Sequence, residues 1–143
     1  NIDAAQKANV SVSYYSKIKQ GFDVMNEDGE LISNSELSLD PDLPKSYAYC
    51  SDTAYEPKIV PQIKNSTLLY HESTFLDEQQ ELAKKTKHST AKEAAEIAKA
   101  AEAETLLLGH YSGRYDNYEL FRKEAEEVFS NVELAADGKS IEF

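Results

Sequence analysis

The sequence predicts an α/β fold, a layered sheet with helices packed against it. Two observations carry this. Three short β-prone runs, at 46–50, 67–70 and 106–108, are bounded by turn-forming or polar residues. Between and after them, apolar residues recur at helical spacing: Ala94, Ile97, Ala98 and Ala101, then Tyr118, Phe121, Ala125 and Val128. The order is strand, helix, strand, helix, helix, strand, helix, hairpin.

Residues 1–20 mix Ser, Tyr and Lys and predict little regular structure. Asp28-Gly29, between Met25 and Leu31, is a hairpin signal. Residues 34–45, with Pro41 and Pro44, predict a loop or linker. Ser46-Tyr47-Ala48-Tyr49-Cys50 alternates as a strand does and stops at Ser51-Asp52-Thr53. Glu56-Pro57 opens a helix, with Pro57 near its first position, and Pro61 keeps it short or irregular. Thr67-Leu68-Leu69-Tyr70 is a second strand, stopping at His71-Glu72. Residues 77–85 predict a short polar helix. Thr90 and Glu93 have the spacing of a capping box, so a helix starts there. Leu106-Leu107-Leu108 is a third strand, ending at Gly109-His110. Asp137-Gly138 predicts a second hairpin within residues 132–143.

The chain has 143 residues, enough for one domain with a core, and its 41% hydrophobic and 29% charged content is ordinary for a globular protein. No apolar run approaches the roughly 20 residues of a membrane span, so no membrane partner is expected. Cys50 is the one cysteine; it excludes an internal disulfide and fits a reducing, cytoplasmic setting. Twenty-six acidic against 15 basic residues, a net charge of -11, argue against an ordinary basic nucleic-acid surface. An acidic chain still acts on a polyanion if metal ions invert the local field, or if basic groups lie on another part of the protein. The first residue is Asn1, not Met, and no signal segment follows, so the chain reads as processed or as part of something longer.

The three strands end in ionisable or metal-binding residues: Asp52, then His71-Glu72, then His110. Ligands of open α/β sheets bind at the carboxyl ends of strands. If the strands are neighbours, Asp52, His71 or Glu72, and His110 meet at one edge. An Asp and a His there can ligate zinc or manganese, although two ligands do not complete a site. Each residue alone reads equally as a satisfied polar group at a strand end. His88, just before the capping box, does nothing for the helix; it is either a solvent-exposed loop residue or an acid–base group oriented by Glu72. A Ser89–His88–Asp52 triad lacks a nucleophile-elbow sequence around the serine. Arg114, after Ser112-Gly113, suits a bidentate phosphate contact or a surface ion pair. Tyr111 and Tyr115 suit packing or base stacking.

Four pieces, Tyr49-Cys50-Ser51-Asp52-Thr53, His71-Glu72-Ser73-Thr74-Phe75, His88-Ser89-Thr90-Ala91 and Gly109-His110-Tyr111-Ser112-Gly113-Arg114-Tyr115, together resemble the C-terminal half of the ribonuclease Z family. These are tRNA 3′-processing endonucleases of the metallo-β-lactamase superfamily. The resemblance runs over about residues 10–143, in the family's order, and includes the ending at 129–143. It implies the C-terminal half of an αββα sandwich, with a mixed β-sheet covered by helices, forming a single domain over residues 1–143. It implies two divalent metal ions, zinc or manganese, precursor tRNA as substrate, and a homodimer for the full-length enzyme. By position, Asp52 matches the aspartate bridging the metals and His110 a ligand of the second metal. His88 matches the histidine that protonates the leaving oxygen, with Glu72 orienting it. Ser112 and Arg114 match a segment near the substrate phosphate. The segment Tyr15–Gly21, with Lys17 and Lys19, lies where the family has a Gly-Pro…Leu-Lys stretch, of which only the Lys and Gly features are recognisable here. Ser73 replaces a usual Ala, and Gly113 a usual Ser.

The superfamily signature His-x-His-x-Asp-His does not occur, and histidines stand only at 71, 88 and 110. The resemblance therefore implies an N-terminal half elsewhere and an inactive chain in isolation. Two alternatives stay open: another hydrolase or phosphodiesterase on the same fold, and a non-catalytic binding or dimerisation module.

Overall fold

A computed structural model of the chain describes residues 1–41 and 43–143. They divide into two compact units, Asn1–Leu43 and Pro44–Phe143, where the sequence predicts one domain.

In the first unit, residues 1–20 are mostly helical, against expectation: α1 (Ile2–Lys7) and α2 (Tyr15–Lys19), with a 3-10 turn at Val12–Tyr14. The cause of α1 is local. The Asn1 side chain accepts from the Ala4 amide, and Asp3 and Lys7 complement the helix dipole at its two ends. The expected hairpin forms as β1 (Val24–Met25) and β2 (Leu31–Ile32), antiparallel. Asn26 Oδ1 holds its turn, accepting from the amides of Asp28 and Glu30. A helical turn, α3 (Asn34–Leu37), occupies the start of the expected loop at 34–45; residue 42 of that span lies outside the described residues. Ala5, Val10, Ile18, Val24 and Leu37 are buried together as a small core.

The second unit carries one sheet of β3 (Tyr47–Cys50), β4 (Leu68–Glu72), β5 (Thr105–Gly109) and β6 (Val132–Leu134), in that spatial order. Every pairing in it is parallel, whereas a mixed sheet was expected. Parallel neighbours need long crossovers. The crossover from β4 to β5 holds α4 (Gln80–Thr86) and α5 (Ala91–Ala100), and that from β5 to β6 holds α6 (Glu119–Glu126). The first crossover contains the irregular helix expected after Pro57, a 3-10 stretch at Pro57–Gln62. The capping box starts α5: the Thr90 hydroxyl accepts from the Glu93 amide, and the Glu93 carboxylate accepts from the Thr90 amide.

Register places Leu69, Leu106 and Val132 side by side on one sheet face, then Cys50, His71, Leu108 and Leu134. Leu69, Leu106 and Leu108 are buried there with Ile97 and Ala98 of α5 and Phe121 and Ala125 of α6. The opposite face carries Tyr47 and Tyr49, both exposed, with Tyr49 stacked on Tyr70 at 4.6 Å and Phe143 beside Tyr47 at 5.9 Å. One sheet with one helical layer is the half sandwich the sequence predicts.

Two boundaries differ from expectation. β4 runs on through His71 and Glu72, because both keep pairing with Leu108 and Gly109 of β5. The second hairpin does not form: among the described residues no strand follows β6. The Asp137-Gly138 turn is present, with Gly138 at φ +77°. The returning chain is instead pinned by Lys139, whose Nζ donates to Glu133 and to the Leu134 carbonyl, each at 2.8 Å.

Candidate active site

The carboxyl ends of β3, β4 and β5 are adjacent, as the consecutive strand order requires. Asp52 lies two residues past β3 and His110 one residue past β5. Both adopt the left-handed conformation, Asp52 at φ +50° and His110 at φ +60°. Neither is glycine, so each position holds backbone strain of the kind that collects at functional sites. The strained turns bring His110 Nε2 to 3.4 Å from Asp52 Oδ1.

Glu72, the last residue of β4, is fully buried. A buried carboxylate is costly unless donors surround it. Five do. Oε1 accepts from the Thr53 amide at 2.8 Å and from His88 Nδ1 at 2.7 Å. Oε2 accepts from the Thr74 hydroxyl at 2.6 Å and from the amides of Ser89 and Thr74 at 3.2 and 3.3 Å. One carboxylate thus joins the loop after β3, the loop after β4 and the entry to α5. Ser89 reinforces the joint by donating its hydroxyl to the Thr53 carbonyl at 2.8 Å.

With Nδ1–H committed to Glu72, His88 presents Nε2 outward. One donor atom each from Asp52, His88 and His110 lies within 4.8 Å of the others. The rings of His88 and His110 face each other with centroids 5.2 Å apart. Two imidazole nitrogens and a carboxylate oxygen suit a borderline divalent cation such as zinc. The Asp52 side chain is 72% exposed and that of His110 40%, so the group opens to solvent on the Asp52 side.

No family model matches the chain. It is 49% identical over 129 residues to "Ribonuclease Z" of Porphyromonas gingivalis (strain W83), a match covering 90% of this chain and 42% of the relative. Over those 129 residues the chain is similar to a ribonuclease Z sequence. "Ribonuclease Z" of Parabacteroides distasonis is 45% identical over 129 residues, with the same coverage. The chain thus spans about 42% of the length of these curated relatives. Among solved structures, the metallo-β-lactamase fold protein YhfI of Bacillus subtilis is 34% identical with a TM-score of 0.61, over 65% of this chain and 38% of that one. A long form RNase Z from yeast is 29% identical with a TM-score of 0.56, over 64% of this chain and 12% of that one. The fold is therefore that of metallo-β-lactamase proteins.

Against the residues expected from the ribonuclease Z resemblance, the structure brings Asp52, His88 and His110 together, with Glu72 directly behind His88. His71 is not part of the group. It points to the opposite sheet face, is buried, and donates Nδ1–H to the Glu72 carbonyl at 2.8 Å. Burial holds its pKa below the ordinary histidine value, against the opposing pull of that hydrogen bond and of the Glu72 charge. Ser112 and Arg114 follow His110. The Ser112 hydroxyl accepts from the Arg114 amide at 3.4 Å, and the Ser112 amide donates to the Thr74 carbonyl at 3.0 Å. Arg114 is exposed and forms no ion pair among the described residues, so the surface-pair reading is not met. Tyr111 stacks on Tyr118 at 4.5 Å and Tyr115 packs edge-on to Phe121 at 5.0 Å, both as packing groups.

Sequence reasoning missed Thr74. Its hydroxyl lies 2.8 Å from His110 Nδ1 while donating to Glu72. The available signal was its place two residues after Glu72, within reach of the same carboxylate.

Proposed function

We propose that the chain carries part of the active site of a metal-dependent endoribonuclease that removes the 3′ trailer of precursor tRNA by phosphodiester hydrolysis. The convergence of Asp52, His88 and His110, from three separate loops, is the observation that carries this reading. The likeness to ribonuclease Z sequences supports the choice of substrate.

The residues present fit a metal: the His110 imidazole and the Asp52 carboxylate offer donor atoms within 4.8 Å of each other, with His88 beside them. Asp52 and His110 would be the residues of this chain that hold the metal. When bound, divalent ions, zinc or manganese, supply Lewis acidity at the scissile phosphate. His88 holds a proton at Nε2 for the leaving 3′ oxygen, and Glu72 fixes its ring through Nδ1. Arg114, exposed, offers a planar fork of donors to a phosphate, beside Ser112.

The proposal includes a homodimeric full-length enzyme in a cytoplasmic setting. Among the described residues no helix is long and apolar enough to cross a membrane. The three residues do not supply a complete two-metal site, so the chain by itself is expected not to cleave.

The test uses a full-length ribonuclease Z carrying these residues. Its cleavage of a precursor tRNA with a 3′ trailer is compared with that of a generic chromogenic phosphodiester. Cleavage immediately after the discriminator base supports the proposal. Turnover of the small diester with the tRNA left intact overturns the substrate assignment.

A further inference from the structure

We propose that Thr74 is a positioning residue that fixes His110 as its Nδ1–H tautomer, so that the single carboxylate of Glu72 orients both histidines of the site. The argument is a count of protons. Glu72 Oε2 already accepts from the amides of Thr74 and Ser89, so it faces Thr74 as an acceptor. The Thr74 hydroxyl approaches the same oxygen to 2.6 Å. At that distance two acceptors would repel, so the hydroxyl proton lies between Oγ1 and Oε2. A hydroxyl has one proton. Thr74 Oγ1 therefore has only lone pairs to offer His110 Nδ1, 2.8 Å away, and Nδ1 must carry the hydrogen.

The consequence falls on the other ring nitrogen. Nε2 of a neutral His110 is left as a lone pair, 3.4 Å from Asp52 Oδ1 and aimed into the candidate metal group. His88 is set directly, by Nδ1–H to Glu72 Oε1. Glu72 sets one ring by contact and the other through Thr74. An isolated histidine side chain favours the opposite tautomer, with the hydrogen on Nε2, which cannot ligate a cation. A partner on Nδ1 is what orients histidine ligands in metal sites generally. The metal consequence rests on the reading of His110 as a ligand; the tautomer does not.

The test reads the tautomer without metal. The chain is labelled with nitrogen-15, and the two ring nitrogens of each histidine are assigned by long-range proton–nitrogen correlation, at a pH above the ordinary histidine range. His110 should be Nδ1–H in the wild type and in Thr74→Ser. In Thr74→Val it should shift towards Nε2–H, while His88 stays Nδ1–H and thereby reports an intact fold. A wild-type His110 protonated on Nε2, or a Thr74→Val spectrum with His110 unchanged, overturns the proposal; the wild-type spectrum decides even if Thr74→Val fails to fold. Zinc affinity should fall about 10–100-fold in Thr74→Val and recover in Thr74→Ser. A switched tautomer with unchanged zinc affinity supports the role of Thr74 and counts instead against His110 as a ligand.

Discussion

His88 and His110 face each other across the carboxyl edge of the sheet, with ring centroids 5.2 Å apart and Asp52 completing the group. The two rings arrive differently. His88 precedes α5 and is held by a buried carboxylate, whereas His110 follows β5 in a strained left-handed turn. The proposed roles follow that difference, His88 as the group that moves a proton and His110 as the one that ligates.

His88→Ala in the full-length enzyme should slow cleavage by about 10²–10⁴-fold, the usual loss for an acid–base group. Metal content, measured by elemental analysis, should stay unchanged. Loss of metal in this variant would make His88 a ligand rather than the acid.

Asp52→Ala in the full-length enzyme should abolish metal binding and cleavage together. Wild-type turnover would sink the assignment. The left-handed backbone adds a second expectation, because φ +50° is strained for alanine and free for glycine. Asp52→Gly should therefore be more stable than Asp52→Ala by about 1 kcal/mol in urea unfolding. Equal stabilities would show that the turn relaxes.

Burial holds His71 below its ordinary pKa of 6.5, so the folded chain resists its protonation. The unfolded chain then binds the proton first. The contribution to stability is full above pH 6.5 and is lost as pH falls below it, towards the depressed folded value. The slope approaches about 1.4 kcal/mol per pH unit for one proton. Urea midpoints across this window should fall more steeply for the wild type than for His71→Leu, which keeps the other two histidines. Parallel curves would exclude His71 as the source.

A Cβ at Gly109 would sit 2.5 Å from Tyr70 Oη and 2.7 Å from its Cε2. Tyr70 is stacked on Tyr49 and cannot swing aside without leaving that contact. Gly109→Ala should cost about 1–3 kcal/mol, as overpacking does. In a Tyr70→Ala background most of that cost should vanish, a coupling that a double-mutant cycle measures. Additive costs would place the strain elsewhere.

Signals within a few residues of one another were legible. The Thr90–Glu93 capping box starts α5, and the Asp28-Gly29 turn joins β1 to β2. Asp137-Gly138 also turns, but a turn does not dictate that a strand returns. The helix at Ile2–Lys7 also has local signals, in Asn1, Asp3 and Lys7, masked by the Ser/Tyr/Lys cluster that follows.

Local chemistry marked Asp52, Glu72, His88 and His110 as chemistry-bearing residues close to the ends of strands or the start of a helix. Which of them meet, and through which contacts, follows from strand pairing and burial. Pairing of β4 with β5 extends the strand to Glu72 and separates it from His71 by a face. Burial then obliges Glu72 to find donors, and it takes them from Thr53, Thr74, His88 and Ser89. A carboxylate satisfied from distant loops leaves no local pattern in the chain, because its partners are chosen by register and packing rather than by spacing.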